Sequence, residues 1–107
     1  MRKNCLFSAA LAGALFALPA LAEPNLAGAT WGDDDCMVAI EFHADYTFLE
    51  YDVMDDEYTG RWRIEVGTLY LQYDNGWSVE TPISDDMFSL RYGDSENDSY
   101  ECYFTPY

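Results

Sequence analysis

The sequence predicts an all-β protein, a small antiparallel up-and-down β-barrel of about eight short strands, with a two-sheet β-sandwich as the alternative. Three observations predict this fold class. Apolar side chains recur at every second position along most of the chain, which places them on one face of a strand. Clusters of Asp, Asn, Gly and Ser separate these runs. No stretch after residue 22 has the pattern of an amphipathic helix, and closure of a meander would protect the sheet edges.

The first segment, residues 1–22, has the parts of a secretory signal peptide. Arg2 and Lys3 give it a positive start, an uncharged apolar run follows, and small residues close it. This pattern predicts cleavage between Ala22 and Glu23. A retained helical anchor is the alternative, but the apolar run is short for a membrane span and a cleavage motif follows it at once. We therefore expect a protein of the periplasm or the secreted space.

Composition narrows the classes of function. The 107 residues carry 20 acidic and 5 basic side chains, for a formal charge of −15, and 17% of them are aromatic. This length fits one domain, which we expect over residues 23–107, and the aromatic content separates it from disordered acidic tails. The charge argues against nucleic-acid binding, which needs a cationic face. It predicts either a cationic partner or adaptation to a salty medium.

Two cysteines, Cys36 and Cys102, follow the predicted signal segment. An even number of cysteines in a small exported domain predicts a disulfide, which over so long a loop would stabilise the fold by about 4 kcal/mol. Zinc ligation by these cysteines with His43 is the alternative, but the close ligand pairs typical of zinc sites are missing. The acidic loop at residues 94–98 lacks the spacing of a calcium-binding EF-hand, so we predict no metal site.

The predicted strands follow one another along the chain. After an opening strand over residues 27–31, alternating runs extend from Cys36 to Phe42, Trp62 to Val66, Leu69 to Tyr73, Trp77 to Val79, Phe88 to Tyr92 and Tyr100 to Phe104. Around Phe48 large apolar residues occupy both faces, so we expect a β-bulge there. The pair Asn75-Gly76 predicts a primed hairpin turn between two adjacent antiparallel strands.

Several of these segments resemble the small lipocalin-like proteins of bacterial envelopes. The resemblance rests on LAGATW at 26–31, IEF at 40–42, ADYTF at 44–48, TGRW at 59–62, LYLQYDNG at 69–76 and FSLRY at 88–92. The opening strand differs, because two residues separate Gly28 from Trp31 where lipocalins usually have one. The resemblance implies a barrel and the behaviour of a binding module, and it does not name a ligand.

These observations together predict a non-enzymatic binding protein without a cofactor. A small hydrophobic or aromatic ligand would lie between the inward-facing rings of Trp62, Tyr73, Trp77 and Tyr92. No catalytic residue is predicted, because the single histidine, His43, falls in a predicted turn and no nucleophile elbow is present. The alternative is a periplasmic inhibitor or immunity protein that docks acidic loops on a basic exported hydrolase or toxin.

Overall fold

The computed structural model of the protein describes residues 24–93 and 98–107. The predicted signal segment and its cleavage site lie outside the described residues. Within the described ranges, no helix has the length and apolar character needed to cross a membrane.

Eight antiparallel strands make up the described fold. They are β1 (Thr30–Asp33), β2 (Val38–Phe42), β3 (Thr47–Asp52), β4 (Glu57–Glu65), β5 (Thr68–Tyr73), β6 (Ser78–Pro82), β7 (Phe88–Tyr92) and β8 (Tyr100–Pro106). They form one continuous sheet in the order β6-β5-β4-β3-β2-β1-β8-β7. Consecutive strands are neighbours and β8 returns to β1, so the prediction of an up-and-down barrel of about eight strands is confirmed and the sandwich alternative is wrong.

The barrel is closed between β1 and β8 and nearly closed between β6 and β7. Strand β8 pairs with β1 through Trp31 opposite Pro106 and Gly32 opposite Thr105. Strands β6 and β7 are joined in the described chain by a single backbone bridge, Ile83 to Phe88, next to the turn that connects them. The hydroxyl of Thr81 adds a hydrogen bond to the carbonyl of Ser89 at 2.8 Å. Beyond these contacts the two strands separate toward their other ends.

The interior differs between the two ends of the barrel. We call the end that carries the β1–β2, β3–β4, β5–β6 and β7–β8 connections the upper end, and the opposite end the lower end. Aromatic rings fill the lower half, with Phe88 at its centre, 5.4 Å from the ring of Trp31, 6.2 Å from Phe42 and 4.9 Å from Phe104. Such ring contacts add to the stabilisation from burial. This packing leaves any internal space to the upper half.

Strand β3 pairs without interruption, so the expected β-bulge around Phe48 is wrong. Its residues keep register with β2 from Val38 opposite Asp52 to Phe42 opposite Phe48, and β4 pairs with it equally regularly. The alternation looked disturbed because the inward position after Phe48 is Glu50, which is only 3% exposed. A charged residue on the inner face hid the period-two pattern of this strand.

Two turns differ from the sequence predictions. Strand β4 ends at Glu65, and Val66 is not an inward strand residue but the first residue of a two-residue turn, where it is 95% exposed. Both Val66 and Gly67 have positive φ, at 48° and 77°, as a type I′ turn requires. The hairpin at Asn75-Gly76 does join adjacent strands, but through a three-residue loop in which Gly76 alone has a positive φ, at 101°.

The predicted disulfide between Cys36 and Cys102 is confirmed. It links the β1–β2 connection to the inner face of β8, with the two Cα atoms 6.0 Å apart. Cys102 is fully buried. The zinc alternative is wrong, because both sulfur atoms are bonded to each other and neither is a thiolate that a metal needs. The bridge instead fastens the last strand to the first connection across the upper half of the barrel.

Candidate functional site

A cavity of about 490 Å³ lies in the upper half of the barrel. It extends to the gap where β6 and β7 separate, between Ser78 and Val79 on one side and Arg91 to Gly93 on the other. Val38, Leu90 and the disulfide contribute apolar lining. The space exists because the strands that would close it are hydrogen-bonded only near their lower ends. The cavity is therefore open to solvent where β6 and β7 separate, and the barrel wall bounds its inner side.

Glu50 is the buried polar group of this cavity. Its carboxylate accepts a hydrogen bond from the Tyr73 hydroxyl at 2.5 Å and another from the Tyr92 hydroxyl at 3.2 Å. The three residues belong to β3, β5 and β7, so they meet across the barrel interior rather than along neighbouring strands. Both phenols donate, which satisfies one acceptor position on each carboxylate oxygen. No Lys, Arg or His among the described residues forms an ion pair with Glu50.

Burial sets the protonation of this group. It raises the pKa of the Glu50 carboxyl above its ordinary value, and the nearby charge of Asp52 adds to that rise, whereas the two phenol hydrogen bonds oppose it. Burial also raises the pKa of both Tyr73 and Tyr92, and the Glu50 carboxylate raises each further. The phenols therefore remain protonated donors throughout the physiological range.

Six aromatic side chains line the cavity, and all of them except Tyr51 form two groups. Tyr58 and Trp77 are stacked with ring centres 6.4 Å apart, and Tyr73 meets Trp77 edge-on at 6.3 Å. On the opposite side, Tyr92 and Tyr100 stack at 5.8 Å. Trp77 is 63% exposed, which places its ring at the mouth of the cavity rather than in the core. The lining thus offers ring faces to anything that enters.

The structure brings three of the four predicted ligand-binding residues together. Tyr73, Trp77 and Tyr92 line the same cavity, whereas Trp62 does not. Trp62 lies in the lower half, where its ring meets Phe42 edge-on at 5.7 Å and its Nε1–H donates to the carbonyl of His43 at 3.1 Å. Trp62 faces inward as its strand phase predicts, but strand phase does not show which half of the barrel is filled.

Sequence reasoning missed Glu50, Tyr58 and Tyr100. Glu50 carried a usable signal, because it shares strand parity with the buried Phe48 and a charged residue at an inward position is rarely buried without a role. Tyr58 and Tyr100 also have inward strand phase, Tyr58 with Trp62 and Tyr100 with Cys102, but each lies near the start of its strand and is partly exposed, so phase alone did not mark it as a site residue. Their place depends on how the strands wrap, which single strands do not reveal.

Charged side chains at the cavity are mostly acidic. Asp52 and Asp56 join Glu50 in the lining, together with a single cation, Arg91. The guanidinium of Arg91 donates to Glu101 at 3.1 Å and to the Ser99 hydroxyl at 3.0 Å. Its charge is thus already paired, and the cavity presents a net negative field.

The other residues considered for chemistry lie elsewhere. His43 is exposed in the β2–β3 turn at the lower end, where its ring is within hydrogen-bond distance of Thr47. A second hollow of about 670 Å³ lies against β4 to β6, and Arg63 and Trp62 are among its lining residues. That arginine pairs with Glu65 at 2.8 Å and lies over the ring of Tyr70 at 4.0 Å. Of the acidic loop at 94–98, only Asp98 lies within the described residues.

Comparison of the chain with protein-family models, with curated proteins and with solved structures found no match.

Proposed function

We propose that the chain is an exported, lipocalin-like binding protein that holds a small apolar or aromatic ligand in its upper cavity. The observation that carries the proposal is the division of the barrel interior. The lower half is filled by packed rings, whereas the upper half retains about 490 Å³. Small-molecule sites have volumes of this order, and an eight-stranded barrel can enclose one small ligand. The resemblance of the sequence to small envelope lipocalin-like proteins agrees with this architecture.

Two features support export to the periplasm or beyond. The sequence begins with the pattern of a secretory signal peptide over residues 1–22. The Cys36–Cys102 disulfide supports the same conclusion, because such bridges form and persist in oxidising compartments. Retention of the leader in the exported protein, detected by intact mass, would contradict this part of the proposal.

We also propose that the protein is not an enzyme. His43 lies at the lower end of the barrel and away from the cavity. Glu50, the buried carboxyl in the cavity, has both oxygens engaged by phenol donors, and the described lining contains no histidine, lysine or free thiol. This arrangement suits recognition of a ligand better than proton transfer to one.

Tryptophan fluorescence tests the proposal directly. Trp77 lies at the mouth of the cavity, so an apolar or aromatic ligand should change its emission on binding. We expect Trp77→Phe to abolish the response to a panel of hydrophobic ligands, while Trp62→Phe, in the packed half, keeps it. Val79→Phe places a ring in the cavity and should lower affinity without unfolding the barrel. A panel that leaves the emission of the unmodified protein unchanged would contradict the proposal.

A second candidate function rests on the loops of the upper end. Each of its four connections carries at least one aspartate, namely Asp34, Asp55, Asp74 and Asp98. A ring of carboxylates at one end of the barrel would suit an inhibitor or immunity protein that docks on a basic exported protein. Capture experiments at low and high salt distinguish the candidates, because docking of this kind weakens with salt.

A further inference from the structure

The charge that lines the upper cavity is unbalanced. Glu50, Asp52 and Asp56 contribute carboxylates, and Arg91 is the single described cation of the lining. Since Arg91 is already paired with Glu101 at 3.1 Å, it does not neutralise the interior. An anionic ligand would enter against this field, whereas a cationic one would be drawn in by it.

The aromatic lining also favours a cationic ligand. Tyr58 and Trp77 stack on one side of the cavity, and Tyr92 and Tyr100 stack on the other. The face of an aromatic ring carries partial negative charge and attracts ammonium groups, most strongly when water is excluded. Ring faces around a carboxylate form a common setting for organic ammonium ligands.

The buried carboxylate of Glu50 favours a cationic ligand as well. It is 3% exposed, and its oxygens have two phenol donors but no cation in the described structure. A buried carboxylate is costly unless a positive charge compensates it. A ligand that carries a positive charge into the cavity would supply the missing partner.

We propose that the upper cavity is selective for organic cations, binding a small aromatic or aliphatic ammonium compound with its charge near Glu50. This inference rests on the proposed function, because it names the class of ligand for the same cavity. The apolar part of the ligand contacts Val38, Leu90 and the tyrosine rings, and the ammonium group is directed toward the carboxylate.

Proton linkage gives the proposal a second signature. The titratable groups that act on Glu50 directly are Tyr73 from β5, Tyr92 from β7 and Asp52 from its own strand. The rest of the lining adds Tyr58 from β4, Arg91 from β7, Tyr100 from β8 and Asp56 from the β3–β4 connection, while β2 contributes only Val38. Because burial raises the pKa of Glu50, its carboxyl stays protonated to a higher pH than that of an exposed glutamate. A cation favours the ionised form, so its affinity should increase as pH rises through that pKa, and its binding should release a proton. A neutral ligand should show neither effect.

Three matched probes test the inference: phenethylammonium, phenethyl alcohol and phenylpropionate, which share a phenethyl group and differ in charge. Calorimetry at about 0.15 M salt suppresses general attraction to the acidic surface. We expect the ammonium to bind at least about tenfold more tightly than the alcohol, and the carboxylate to bind most weakly.

Two pairs of variants locate the effect. Glu50→Gln should lower the affinity for phenethylammonium by about tenfold and leave the alcohol unchanged, whereas Glu65→Gln, the same change at the lower end, should alter neither. Asp56→Asn, at an exposed lining residue, should weaken the ammonium by a smaller factor, whereas Asp55→Asn in the same loop should not. The second pair keeps the test decisive if Glu50→Gln does not fold.

The outcomes separate this inference from the proposed function. Equal or tighter binding of the alcohol or the carboxylate overturns the cation preference and leaves the binding function standing. If the hydrophobic panel changes Trp77 emission and phenethylammonium does not bind, the cation preference is likewise wrong and the binding function stands. If neither the panel nor the three probes bind, both proposals are wrong.

Discussion

The hydroxyl of Tyr73 on β5 donates a hydrogen bond to Oε1 of Glu50 on β3, across the barrel interior and past the intervening strand β4. Tyr92 on β7 reaches the other oxygen from the opposite wall. The position of the carboxylate therefore depends on three strands that are not neighbours, and it is fixed only when the barrel is closed. This arrangement makes Glu50 a sensitive reporter of both stability and protonation.

Replacing Glu50 with Gln should change how stability depends on pH. Burial raises the folded-state pKa of Glu50, so its protonated form favours folding below the ordinary glutamate pKa, and this contribution is lost as pH rises through the folded-state value. Urea unfolding from pH 4 to pH 8 should show Glu50→Gln gaining stability relative to the unmodified protein as pH rises. Glu57→Gln, at an exposed position with no ion pair among the described residues, is the matched control. A course parallel to that of the unmodified protein for Glu50→Gln would contradict the expected pKa.

Gly60→Ala should destabilise the barrel by about 1 to 3 kcal/mol, because an added methyl group overpacks the interior. A Cβ atom on Gly60 would lie 2.7 Å from the ring of Phe48 and closer still to the backbone oxygen of Gln72. Elsewhere in a strand this substitution favours folding, so the sign of the change is informative. Chemical unfolding measures it, with Arg61→Ala on the outer face as the neutral control. Unchanged or higher stability would mean that the Phe48 ring and the Gln72 backbone can shift at little energetic cost.

The sequence was sufficient to predict the barrel, because its alternating runs and turns are local signals. The cavity was only partly predictable. Tyr73 and Tyr92 were found from their inward strand phase, but Trp62 has the same phase and lies in the packed half. Whether an inward ring packs against others or faces a space depends on the separation of β6 and β7, which no single strand encodes. Glu50 was hidden for the opposite reason, since a charged residue interrupts the apolar pattern used to find strands.

Val66→Asn should stabilise the protein by about 0.5 to 1 kcal/mol, because asparagine tolerates the left-handed conformation better than a β-branched residue. Val66 has φ 48° and is 95% exposed, so its replacement removes little packing. Thermal and urea unfolding should both show the gain. Val53→Asn makes the same exchange at an exposed position that lacks a positive φ, and it should have no such benefit. Equal effects at both sites would point to polarity rather than backbone strain.

Loss of the disulfide should lower the free energy of unfolding by about 4 kcal/mol, as expected for a cross-link that closes a long loop. Cys36 and Cys102 are separated by 66 positions, and the bridge lines the cavity. The double variant Cys36→Ala/Cys102→Ala should match the reduced protein in urea unfolding. Reductant should then leave the double variant unaffected. Alkylation of both cysteines in the native protein without reductant, seen by intact mass, would contradict the bridge itself.

Asp33→Asn should weaken the junction between β1 and β8 in a pH-dependent way. Its Oδ2 accepts the backbone N–H of Tyr103 at 2.7 Å, and Oδ1 accepts that of Asp35 at 2.8 Å. The first of these bonds is the main reason that the pKa of Asp33 is lowered. A lowered pKa contributes stability above the ordinary aspartate value that is lost as pH falls through the folded-state value.

The Asp33→Asn variant should therefore be less stable than the unmodified protein near neutral pH. The expected difference is about 1 kcal/mol, the usual contribution of a hydrogen bond at a partly exposed site. The difference from the unmodified protein should narrow in acid, because Asp33 itself then loses its charge. Asp35→Asn removes the same charge from the same acidic run and should leave the junction intact. A deficit for Asp33→Asn that stays constant down to about pH 2, well below the ordinary aspartate pKa, would show that its role is steric rather than electrostatic.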